Sequence, residues 1–184
     1  RADDGDYVWV NSNGTLSGTD YTNNLTFSRI RYQKGAVLSH YAGDTFYMSE
    51  YVDAAGTTWT VRDVQPSIDF VNRRLLIGCR TTDMRHNVIY DLDAVLALGK
   101  ETVEITRTWG GETAAEGVTE KKTETTSVEV RNLNRLTPLG SFRLPSYLNT
   151  GQTHQVYSYS HQGQAVWGDY VYWYEGQAIQ QTGE

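Results

Sequence analysis

Cysteine is almost missing from this sequence. One residue, Cys79, in a chain of 184 excludes an intrachain disulfide and any multi-thiolate zinc site. Its setting, Leu75-Leu76-Ile77-Gly78-Cys79, predicts a small buried thiol. Proline occurs three times, and lysine only at positions 34, 100, 121 and 122. Basic charge is also short: 22 acids against 16 Lys and Arg leave a net charge of −6. That balance offers no footprint for phosphate backbones or anionic lipid surfaces, which argues against nucleic acid as a partner. No apolar run approaches the roughly 18 residues of a membrane span, and no signal-like apolar segment is present, so no membrane insertion is expected. The chain starts at Arg1 rather than at a methionine, from which a processed chain or a fragment is expected.

Several chemical signatures are lacking too. There is no Gly-x-Ser-x-Gly elbow, no phosphate-cradling glycine loop and no dinucleotide fingerprint, and no cofactor is implied. His86, His154 and His161 lack the short-range pairing of zinc ligands. Asp3-Asp4-Gly5-Asp6 has the acidic and glycine content of a calcium loop without its full spacing, and no metal site is expected.

Aromatic residues, in contrast, make up 12% of the chain, with 13 Tyr and 5 Trp, accompanied by many threonines. These side chains pack well on pleated, half-buried surfaces, so the fold class expected is all-β. Alternating stretches read as short strands: Tyr7-Val8-Trp9-Val10, Leu25-Thr26-Phe27-Ser28-Arg29-Ile30, Thr45-Phe46-Tyr47-Met48 and Val171-Tyr172-Trp173-Tyr174. One brief helix is predicted over Asp91 to Gly99, with an acidic start and a glycine stop.

A phrase recurs: Gly5-Asp6-Tyr7-Val8-Trp9, Gly43-Asp44-Thr45-Phe46-Tyr47 and Gly168-Asp169-Tyr170-Val171-Tyr172, with a variant at Phe70-Val71-Asn72-Arg73-Arg74-Leu75. Each is a turn that feeds an apolar or aromatic strand. Starting points at residues 5, 43, 72 and 168 give intervals that approximate one or two propeller blades of about 40–50 residues. Small sheets of this kind cannot bury both faces alone and stack around an axis. Three to four blades fit in the chain, fewer than a closed ring needs, so the remainder is expected from another polypeptide or a larger assembly. The alternative is an open sandwich in which the repeat is accidental.

The order of these phrases, together with Phe27-Ser28-Arg29-Ile30-Arg31-Tyr32-Gln33-Lys34-Gly35, Val88-Ile89-Tyr90-Asp91-Leu92-Asp93-Ala94-Val95 and His161-Gln162-Gly163-Gln164-Ala165-Val166-Trp167, resembles the secreted β-propellers of the phage receptor-binding protein and teichoic-acid protein C type. That group includes the helveticin J class of bacteriocins. The resemblance spans residues 5 to 98 and 136 to 176. It implies a five-bladed propeller, secreted and extracellular, that adheres to a cell-surface glycan or cell-wall glycopolymer as part of a phage tail, bacteriocin or toxin assembly. The chain departs from the family in lacking a first blade and in an insertion from Lys100 to Arg131. There Val103, Ile105 and Trp109 alternate outbound, and Thr126, Val128 and Val130 inbound, around a glycine-rich tip, which predicts a long hairpin. Such an arm suits either a decorated loop or an adaptor that holds a protein partner.

Lectin-like binding needs flat aromatic faces for the C–H side of a pyranose, beside amides, imidazoles and carboxylates for its hydroxyls. The C-terminal segment supplies both. Most of its aromatics are expected to pack inward, so the binding candidates are those beside turns: His161, Gln162, Trp167, Asp169, Tyr170 and Tyr172. A five-bladed-propeller glycoside hydrolase is the rival, drawing two carboxylates from Asp44, Asp69, Asp169 and Glu175. Aspartates in such turns commonly cap backbone N–H groups, which accounts for three of them without catalysis.

Overall fold

The computed structural model describes residues 7–11, 25–32, 34–35, 43–81, 85–109, 113–114, 117–118, 122–143 and 159–177. The first Gly-Asp phrase before Tyr7, the acidic stretch Asp3 to Asp6, and His154 lie outside the described residues, as do the side chains of His161, Gln162, Tyr174 and Glu175. The described chain is all-β apart from one short helix and a 3-10 turn, and none of its sheets closes on itself. No described helix is long and apolar enough to cross a membrane.

Two sheets form the body. The first runs in the order β1 (Tyr7–Asn11), β2 (Thr26–Arg31), β3 (Asp44–Tyr47), β12 (Lys122–Asn132) and β9 (Lys100–Trp109). Its pairings are antiparallel except for a short parallel contact of Arg131 and Asn132 with Phe46 and Tyr47. The second is an antiparallel sheet in the order β13 (Gly140–Arg143), β8 (Arg85–Asp91), β7 (Arg74–Arg80) and β6 (Arg62–Asp69). A hairpin of β4 (Glu50–Val52) and β5 (Thr58–Thr60) adjoins them. The ladder of β9 with β12 runs from Lys100↔Arg131 to Trp109↔Lys122, with β10 (Thr113–Ala114) and β11 (Gly117–Val118) paired beyond it. A last hairpin joins β14 (Tyr159–Trp167) to β15 (Tyr170–Gln177).

One buried cluster holds the body together. It takes Phe27 and Phe46 from the first sheet and Ile68, Leu75, Ile77, Val88 and Tyr90 from the second, with Tyr51, Leu92, Val95 and Leu133 closing its ends. Phe27 and Phe46 stack at 5.1 Å between centroids, and Trp9 lies 5.0 Å from Phe46. Five successive residues of β7, Leu75 to Cys79, are buried. Successive side chains point to opposite faces of a strand, so this central strand is covered on both sides, and its unbroken apolar run follows from that. Cys79 is fully buried, and burial pushes its thiol up to about 12.

The helix α1 (Leu92–Ala97) begins where expected: the Asp91 carboxylate accepts the Ala94 N–H at 2.8 Å. Its end differs from expectation. Leu98, at φ −55° and ψ 134°, already has extended backbone, so the chain leaves the helix before Gly99 and no left-handed glycine cap is used. Gly43 is a stricter requirement. Its φ is +145°, and a Cβ there would lie 2.2 Å from the carbonyl oxygen of Arg29, so only glycine lets β3 close against β2.

Beside the core, Tyr51 and His86 are hydrogen-bonded through the phenol and Nδ1. Trp59 lies between the His86 ring and the Arg143 guanidinium, each at 4.7 Å. Its indole N–H is accepted by Asp53 at 2.8 Å, and this bond, followed by that from the Thr57 N–H, holds the Asp53 carboxyl below its ordinary value. The group fastens the β4–β5 hairpin over one end of the second sheet.

Candidate functional site

The binding candidates read from the sequence all fall on the β14–β15 hairpin. Trp167 pairs with Tyr170 across a two-residue turn, Gly168-Asp169. Gly168 has φ +59° while Asp169 stays at negative φ, the pattern of a type II′ turn, in which glycine is required at the first central position. The pairing fixes which side chains share a face. Trp167, Tyr170, Ala165, Tyr172 and Gly163 project to one side, and Gln164, Trp173, Val166 and Val171 to the other.

The second of these faces packs on the second sheet through Gln164, Val166 and Val171, while Trp173 on the same side stays exposed. Val166 and Val171 oppose Leu76 and Ile89. The Gln164 amide sits over Gly78, where a Cβ would come within 2.6 Å of it, and its Nε2 donates to the Gln65 carbonyl at 3.4 Å. The first face is left open: Trp167 is 61% exposed, Tyr170 69% and Tyr172 52%. Ala165 stands opposite Tyr172, and Gly163 lies two residues farther along the strand. The outcome is a low aromatic surface with small residues beside it, on a support that is itself packed.

The turn is anchored by a residue from the other sheet. Asp69, fully buried at the end of β6, accepts N–H groups from Val71 at 3.0 Å, Asn72 at 3.3 Å and Gly168 at 3.2 Å, and the Asn72 side-chain amide at 3.0 Å. Burial works against the Asp69 charge, but these four donors, the Asn72 backbone first among them, outweigh it and hold the carboxyl below its ordinary value. Arg74, at the start of β7, reaches to 4.0 Å from Asp169. Between hairpin and sheet remains a cavity of about 110 Å³, walled by Leu76, Ile89, Val166 and Val171 and bordered by Asp69, Arg74, Gly168 and Asp169.

The candidate carboxylates serve different ends. Asp44 lies 3.5 Å from both Arg29 and Arg131 and joins them across the first sheet, with Arg29 over the Tyr7 ring at 3.7 Å. Asp69 and Asp169 border one cavity, but Asp69 is saturated with N–H donors and held ionised. A general acid needs the reverse, a carboxyl raised toward neutrality. Glu175 is placed on β15, and its side chain is not described. Among the described residues, no group of three His, Cys, Asp or Glu side chains is placed to hold a metal ion.

Trp167, Asp169, Tyr170 and Tyr172 are thus brought together at one hairpin end, while His161 and Gln162 lie at its far end, before a register shift between His161 and Gly163. Sequence reasoning missed Arg74, Val166, Val171 and the contact of Asp69 with Gly168. It also missed Gly78, although a lone glycine inside an apolar strand does signal that something approaches closely. No family model, curated protein or solved structure matches the chain.

Proposed function

We propose that this chain is a lectin-like recognition module that binds a carbohydrate or cell-wall glycopolymer through the open aromatic face of β14–β15. The observation that carries the reading is the set of three exposed rings, Trp167, Tyr170 and Tyr172, on one face of a hairpin whose other face is packed against a sheet. Exposed aromatics on a rigid support lose little conformational freedom on binding and offer the apolar planes that a pyranose requires. Asp169 and the backbone of the turn lie beside them for hydroxyl groups.

The wider reading is a secreted β-propeller within a phage tail, bacteriocin or toxin assembly, completed by another polypeptide. Two features support the propeller. Sheets are stacked face to face, with the first sheet on one side of the second and the β14–β15 hairpin on the other. Moreover β6, the edge strand of the second sheet, is approached by β1 and β2 from one side and by β14 from the other. Strands nearest a common axis crowd together in this way while the outer strands diverge.

Glycan-array binding of the wild type against Trp167→Ala and Tyr170→Ala is the test. The expected result is retention of a defined glycan set by the wild type and a loss of about tenfold or more in either variant, which corresponds to ~1.4 kcal/mol. Absence of retention, or retention indifferent to both substitutions, overturns the reading.

A further inference from the structure

The open face of β14–β15 is longer than it is wide. Across the hairpin Trp167 stands directly opposite Tyr170, and side chains so paired lie about 5 Å apart. Together they make one stacking position. Along β15, Tyr172 follows Tyr170 on the same face. A strand rises about 3.4 Å per residue, which puts Tyr172 roughly 7 Å farther along the hairpin. All three rings are exposed, so Tyr172 makes a second stacking position in line with the first.

The neighbouring residues leave that second position usable. Opposite Tyr172 stands Ala165, and Gly163 comes next on the same side of β14. From Trp167 to Gly163 the side chains of this strand shrink from an indole to a methyl to a hydrogen, so a ligand that starts over Trp167 and Tyr170 continues over Tyr172 past no large side chain of β14. At the other end the platform stops at the turn, where the Asp169 carboxylate, 88% exposed, is open to the hydroxyls of a first sugar unit. The spacing of the two positions is fixed from below, because Val166 and Val171 lie between them in sequence and pack on Leu76 and Ile89.

Stacking uses the apolar C–H face of a sugar ring against an aromatic plane. Two successive units stack on one surface only where the linkage keeps their rings in one extended plane. Equatorial bonds on both sides of the bridge do so, whereas an axial bond turns the next ring out of it. We propose that the platform has two subsites, Trp167 with Tyr170 and then Tyr172 beside Ala165, and that its ligand is a linear, equatorially linked glycan bound over two successive units. The inference rests on the aromatic face being the sugar platform and adds to it a ligand class. Once the first unit is stacked, the second binds as an intramolecular step, so a linked pair gains more than two separate sugars would.

Titration with one-unit and two-unit methyl glycosides, followed by NMR, tests it in three series: β-1,4-linked glucose, β-1,4-linked N-acetylglucosamine and α-1,4-linked glucose. In at least one β-linked series the two-unit sugar is expected to bind about fivefold or more tightly than the one-unit sugar and to shift the Tyr172 ring signals. The α-linked pair is expected to show no such gain. In Tyr172→Ala the ratio of the two affinities should fall to near one, and in Tyr172→Phe, which keeps the ring, it should persist. Should two units bind no better than one in both β-linked series, or Tyr172→Ala keep the ratio, the second subsite is refuted and the platform stands. An equal or larger gain in the α-linked pair refutes the linkage class. If no sugar of any series binds, the proposal is refuted, and the glycan array decides whether the platform falls with it. Because the ratio and the ring shifts are read on the wild type, the result does not depend on whether the Ala variant folds.

Discussion

Asp69 shows what a single side chain contributes here. Read in sequence it is a turn aspartate and equally a candidate catalytic acid. In the structure it caps its own turn through Val71 and Asn72 and also reaches Gly168 of another hairpin. Replacing it with Asn removes the charge and leaves donors facing an NH₂ group, and hydrogen bonds to a charged group are each worth about 1.5–3 kcal/mol. Asp69→Asn is therefore expected to lower stability at neutral pH by about 2 kcal/mol, measured by urea unfolding. The sign of the pH dependence follows from the depressed carboxyl. The stabilisation is complete above the ordinary carboxylate value of 3.8 and is lost as pH falls below it, through the folded value. The gap in midpoint between wild type and variant should thus be constant from neutrality to about pH 5 and close below 3.8; a gap independent of acidity would show that the charge is not what matters. The capping role of Asp69 was legible from its turn setting. Its reach to Gly168 was not, because the partner lies 99 residues away and no local spacing encodes it.

Among elements, the short strands and the helix start were the most legible. Alternation is a local signal, and Asp91 is a local cap. Positions 103, 105, 128 and 130 do line the more buried side of the β9–β12 ladder, and Ile105 and Val130 are the most buried of them. Residues Thr123 to Ser127 are exposed. Only Arg131 and Asn132 at the root of β12 pair with the rest of the sheet, so the outer ladder draws little from the core. Excising residues 110–121 and joining the strands with a two-residue Asn-Gly turn should shift the thermal midpoint by no more than a few degrees and leave glycan retention intact. A collapse of the fold in circular dichroism would mean that the arm is packed more deeply than its exposure indicates. Loss of assembly with a partner, but not of glycan retention, would give the arm the adaptor role.

At the level of the whole molecule, the recurrent Gly-Asp phrase turns out to be one wording for different backbones. Gly43 sits at φ +145° against the Arg29 carbonyl, and Gly168 at φ +59° in a hairpin turn. Asp44 ties two arginines together, while Asp169 stands at the border of a cavity. The phrase marks where a strand begins after a reversal, and that much was readable. Which sheet each strand joins was not, since the parallel contact of β12 with β3 and the seating of Gln164 over Gly78 both depend on residues remote in sequence. The same remoteness hid the cavity, whose aliphatic walls come from four separate strands.

Cys79 lies at the centre of this arrangement, in a strand covered on both sides. Its thiol is pushed up to about 12 by burial and reacts only when the sheets part, so the molecule carries a natural clock for its own opening. Incubated with a maleimide in excess under native conditions, the chain should be alkylated in a single exponential, at a rate that tracks denaturant and temperature as global unfolding does. Prompt labelling of the untreated protein would mean that the middle layer breathes on its own.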